Sequence, residues 1–202
     1  MSLDFNPENR TTWLEAINAV LIKTGRDPIT SAPDDGQQED PEVDAVRNHL
    51  DRVTREVLSK GWHFNTVKRT LDVSSGEIAL DDDMIEFDPD DNDLATLNDK
   101  LHNRTTDEAD AFTNGITGWA IIAHDLVDCP EVFRQYIYCR TATELAHSQF
   151  AETEFVNRLI EQEARALGRL LSSERRTRKA GLRSNREVYR TAGYRHRRYY
   201  LH

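Results

Sequence analysis

The feature that most constrains this chain is a run of helical pattern from Cys129 to about Leu171, interrupted once near Glu152 and Thr153. It opens with Asp128-Cys129-Pro130-Glu131, a suitable helix start: proline loses no needed donor there, and the carboxylates meet the positive end of the dipole. Val132, Tyr136, Cys139, Thr143, Ala146 and Phe150 recur at alternating spacings of four and three, so they share one side of a helix. Phe133, Ile137, Ala142 and Leu145 widen that stripe. A helix over 130–150 would be about 30 Å long, and one apolar over so much of its girth needs cover on more than one side. A second helix follows, with Phe155, Val156, Leu159, Ile160, Leu167, Leu170 and Leu171 on its apolar face and Arg158, Glu161, Glu163, Arg165 and Arg169 on its wet one. So short a break implies an antiparallel pair. The pair holds no reactive constellation and reads as scaffold.

Upstream, Thr12-Trp13-Leu14-Glu15 has the form of a capping box, and Trp13, Ile17, Val20, Leu21 and Thr24 line a first helix over about 12–24 that Gly25 ends. Residues 25–40, with Pro28, Pro33 and Gly36, read as an exposed loop. Asp40-Pro41-Glu42 starts a second helix whose buried line is Val43, Val46, Leu50, Val53 and Val57 and whose stop is Gly61. These two helices are expected to pack on the later pair. From Trp62 the period shifts toward two: Trp62, Phe64, Val67, Leu71 and Val73 read as a strand, Ser74-Ser75-Gly76 as a turn, and Glu77 to Leu80 as its return. Met84 to Phe87, one or two strands over 94–101, and 116–124 complete a small antiparallel lobe. The expected fold is α+β and mainly α. It has a four-helix bundle core made of 1–61 and 129–173, an inserted antiparallel β lobe over 62–128, and an extended basic tail over 174–202.

No apolar run approaches the 18 or so residues of a membrane span, and no basic start leads into an apolar stretch. A soluble chain with no membrane partner is expected. Cys129 and Cys139 lie about 15 Å apart along one helix by its rise, too far for a disulfide, and read as small core residues. The net charge of −10 is uneven: residues 174–202 hold ten Lys and Arg against Glu174 and Glu187, a net +8, which leaves −18 on residues 1–173. An acidic body with a basic tail calls for a partner for the tail. Arg183, Arg186, Tyr189, Arg190, Tyr194, Arg195, Arg197, Arg198, Tyr199 and Tyr200 interleave cations with rings. That composition suits protein hot spots and also nucleic-acid backbones with stacked bases; the plain alternative is a disordered, solvated end. A protein partner is favoured, because the −18 body repels a long polyanion.

Enzymatic signals are weak. Asp88, Asp90 and Asn92 occupy positions 1, 3 and 5 of a calcium loop, but Asp93 stands where glycine is needed and Asp99 where a bidentate glutamate is usual. The acidic run from Asp81 to Asp93 reads instead as a solvated rim, or as a lining that keeps DNA from sticking. Glu77 with Asp125 could be proposed as a glycosidase pair. The histidines at 49, 63, 102, 124, 147, 196 and 202 have no metal-ligand spacing, and no phosphate-binding glycine loop or serine elbow occurs. No enzyme, metal or cofactor is expected.

Three strings resemble the tail tubular protein A, or head-to-tail adaptor, family of autographivirus-type short-tailed phages. They are Leu14-Glu15-Ala16-Ile17-Asn18 to Gly25-Arg26-Asp27-Pro28, then Lys60-Gly61-Trp62-His63-Phe64-Asn65, then Cys129-Pro130-Glu131-Val132-Phe133-Arg134 with Tyr136-Ile137. The resemblance implies a virion protein in a ring of twelve copies, seated under the portal protein and holding the tail nozzle, tail tubular protein B. Genomic DNA would pass through its channel, and the C-terminal tail would reach the portal. The resemblance also keeps a polysaccharide-degrading tail hydrolase in view, and the composition of the basic tail keeps a nucleic-acid-binding protein acting through it as a second alternative.

Overall fold

The computed structural model describes residues 12–31, 41–91, 93–104, 112–149 and 154–181. In chain order the elements are α1 (Trp13–Lys23), α2 (Pro41–Leu58), β1 (Thr66–Leu71), β2 (Met84–Pro89), β3 (Leu94–Leu97), β4 (Lys100–Asn103), β5 (Ile116–Ile122), a 3-10 turn at Leu126–Asp128, α3 (Glu131–Gln149) and α4 (Glu154–Gly181). The fold is mainly α with small antiparallel sheets, as the periodicities predict.

α3 lies at the centre. Phe133, Tyr136, Ile137, Tyr138, Cys139, Thr141, Ala142, Thr143, Leu145 and Ala146 are all buried, so nearly its whole girth is covered. α1, α2 and α4 each pack against it, α4 most extensively. This is the cover that its apolar circumference demanded. α1 begins with the expected capping box: Thr12 N–H donates to Glu15 Oε2 at 3.1 Å, and Glu15 N–H donates to Thr12 Oγ1 at 3.3 Å. On α2, Val43, Val46, Leu50, Val53 and Val57 are buried as predicted.

The lobe differs from expectation in three ways. Trp62 and Phe64 are not strand residues; both pack into the helical core, and β1 begins only at Thr66. The chain there turns, with Asn65 N–H donating to Trp62 O at 3.1 Å, and spaced aromatics in a turn mimic a period of two. Second, Glu77 to Leu80 does not return along β1. β1 pairs with β5, which also pairs with β2, giving the order β1-β5-β2 with antiparallel neighbours. The 77–80 segment lies against β4 instead, with Leu101 N–H donating to Ile78 O at 2.9 Å and Leu80 N–H to Asp99 O at 2.8 Å. Third, β3 and β4 form a separate hairpin, so the lobe holds two small sheets. Leu71, Ile78, Phe87, Leu101, Ala120 and Ile122 form its own core. Gly118 lets β2 approach the middle of β5, since a Cβ there would meet Asp88 O at 2.4 Å and Phe87 Cζ at 2.6 Å.

α4 also runs past the point where its apolar period fades. Residues 174–181, assigned above to the tail, continue the helix to Gly181. Glu174 Oε1 accepts from His63 N–H at 3.0 Å and ties this last stretch to the junction between α2 and β1.

Candidate interaction surfaces

The junction that joins the helices to the lobe is built on Asn65, which is fully buried. Its Oδ1 accepts from Trp62 N–H at 2.7 Å, while Nδ2 donates to Leu58 O and Ile122 O, each at 3.1 Å. One amide therefore ends α2, fixes the turn and holds β5. Gly61, at φ +69°, takes a left-handed conformation that lets the chain leave α2 toward Trp62. Trp62 Nε1 donates to Val57 O at 2.7 Å, and Phe133 of α3 meets the edges of Trp62 and Phe64 at centroid distances of 6.1 and 5.2 Å. The Lys60–Asn65 string thus owes its letters to this joint.

A second polar cluster centres on Arg140 of α3. Its guanidinium reaches Glu56 of α2 at 2.6 Å, Glu144 at 3.2 Å, Glu163 of α4 at 4.0 Å and Tyr136 Oη at 3.4 Å. Arg52 of α2 pairs with Glu144 as well. The cluster clamps three helices together and contains no nucleophile or poised acid.

Among the described residues, several groups that the sequence offered for chemistry have structural partners. Asp90 pairs with Lys68 at 3.1 Å, and Asp81 and Asp83 pair with Arg69 at 3.1 and 3.0 Å, so β1 cations bridge a rim expected to be simply solvated. Asn92, of the calcium pattern, lies outside the described residues; among the described residues no three His, Cys, Asp or Glu converge as metal ligands. Glu77 is paired with Lys100, whereas Asp125 acts on Asp51 of α2, whose carboxyl burial raises above the usual range with Asp125 adding to the rise. Of the histidines, His49 lies 3.2 Å from Arg52 and His124 stacks near Phe64 at 6.2 Å. Burial pushes the Cys129 thiol from 9.0 up to about 12, which makes it inert as a nucleophile at neutral pH. Both cysteines are buried and free. No helix among the described residues is long and apolar enough to cross a membrane.

The expected portal contacts Arg183, Arg186, Tyr189, Arg190, Tyr194, Arg195, Arg197, Arg198, Tyr199 and Tyr200 lie outside the described residues. The last described helix leads into them. Sequence reasoning missed the roles of Asn65 and Arg140. Asn65 stood in a quoted string without a reason for its presence, and an arginine among buried α3 positions was the available signal for Arg140.

The model of the tail tubular protein family matches residues 14–180, from the first turn of α1 to the last turn of α4. No curated protein matches the chain. Proteins of this family are structural components of the phage tail and not enzymes. Since the match takes in every described element, including the Asn65 joint and the Arg140 clamp, this chain belongs to the tail tubular protein family.

Proposed function

We propose that the protein is the head-to-tail adaptor of a short-tailed phage, a ring that joins the portal protein to the tail nozzle and leaves a channel for genomic DNA. The family match over residues 14–180 carries this reading. In the ring of twelve the helical bundles stand side by side, the β lobe faces the nozzle or outer rim, and residues 182–202 reach the portal. The charge distribution supports it: a body of −18 does not hold DNA, while a basic, tyrosine-rich end is suited to an acidic protein groove. Weak single contacts then bind firmly because twelve of them, linked in a ring, act at high effective concentration.

The test is docking to the portal protein after Arg195, Arg197 and Arg198 are changed together to Gln. Docking is expected to weaken by roughly tenfold or more, about 1.4 kcal/mol, with no change in the thermal midpoint of the free protein. Equal docking by variant and parent removes the tail from the contact.

A further inference from the structure

α4 spans 28 residues, about 42 Å of helix, and only one side of it is used on α3, through Val156, Leu159, Ala166 and Leu170. About a third of a turn round the helix from that side, Arg158, Arg165, Arg169 and Arg176 follow at spacings of seven, four and seven, which places them in one row. All four are exposed, and the side chains of Arg158 and Arg165 are 67% and 68% accessible. Arg158 and Arg165 have carboxylate neighbours one turn back on the same helix, Glu154 at 4.0 Å and Glu161 at 3.1 Å, solvated pairs that water and salt weaken. Gly168, one turn on from Arg165, has open space over it, so the helix surface beside the row is low.

A cationic row on a low-relief helix surface suits an acidic protein face, and the net charge of −18 on residues 1–173 disfavours a long polyanion there. The acidic counterpart is present in the same chain. Residues 62–128 carry sixteen Asp and Glu against four Lys and Arg. Lys68, Arg69 and Lys100 are engaged within the lobe, and Asp82, Asp91 and Asp93 remain exposed on it. A basic face and an acidic face on different parts of one subunit form a head-to-tail contact, the kind that closes into rings. We infer that the outer face of α4 docks on the acidic β lobe of a second copy of this chain, a contact that specifies, and rests on, the ring proposed above.

The test uses the full chain with Arg158, Arg165, Arg169 and Arg176 changed together to Glu, and to Lys as a charge-preserving control. With the portal protein present, light scattering should find the parent and the Lys variant in the same multi-subunit complex and the Glu variant at monomer mass. Zero-length carbodiimide coupling of the Lys variant, with copies of two isotopic labels mixed, should link those four positions to residues 81–93 of another copy. A Glu variant that assembles like the parent, or links confined to one chain, overturns the inference and leaves the adaptor reading standing. A parent that ignores the portal overturns the adaptor reading, and the links formed in concentrated protein alone then decide the inference; they also decide it if the Glu variant misfolds. If the parent shifts duplex DNA in a gel, the Glu variant does not, and their assembly masses agree, the row serves DNA and the inference is wrong.

Discussion

Asn65 makes three buried hydrogen bonds, to Trp62, Leu58 and Ile122, through a side chain with no exposed surface. Truncating it strands the buried Trp62 amide and removes one donor from each of two carbonyls, of which Leu58 O still accepts from Gly61 N–H at 3.0 Å. Asn65→Ala is expected to cost about 2–4 kcal/mol, read as a fall in the urea midpoint; a fall below about 1 kcal/mol would mean the joint is held by aromatic packing alone. Two other buried groups set a pH dependence. Burial lifts Cys129 from 9.0 to about 12 and Tyr138 from 10.0 to about 12. Both stay neutral in the folded protein while the unfolded chain gives up its protons first. Their contribution to stability is therefore whole below about pH 9 and is lost as pH rises toward about 12. The urea midpoint should fall across that window, and less steeply in the Cys129→Ala, Tyr138→Phe double variant. Identical slopes would show that neither group is shielded.

At the scale of elements, α3 holds the molecule together because three helices share it and Arg140 clamps them through Glu56, Glu144 and Glu163. Arg140→Met takes the cation from Glu163 and leaves Glu56 and Glu144 with Arg52 alone, and a loss of about 1.5–3 kcal/mol is expected, largest at low salt. A thermal midpoint equal to that of the parent would show that apolar packing alone holds the helices. The helices were legible in the sequence because each carries its own signals: the Thr12–Glu15 box, Pro41 at the first turn of α2, and the girth of α3. The lobe was less so, since pairing β1 with β5 depends on contacts some fifty residues apart that no local period reports. Trp62 and Phe64 misled because alternating aromatics serve a turn as well as a strand. The continuation of α4 to Gly181 was hidden for another reason: its last turns bury little, and Glu174 is fixed by His63, which lies 111 residues away.

For the whole molecule, the uneven charge is the property that structure and sequence share most plainly. It is acidic on the lobe and basic along α4 and beyond, and among the described residues no three His, Cys, Asp or Glu come together to hold a metal ion. The tail contacts were proposed from composition alone, and the outer row of α4 shows why composition located charge without locating its partner: the row emerges only when helix geometry aligns positions scattered over nearly twenty residues. An adaptor assembled on a template predicts that subunits stay apart until the portal presents its own symmetry. The most direct measurement is the mass of the purified protein by light scattering at physiological salt, alone and after mixing with the portal protein. A monomer that becomes a multi-subunit complex only in the mixture is the predicted result; a monomer that ignores the portal would contradict the adaptor account.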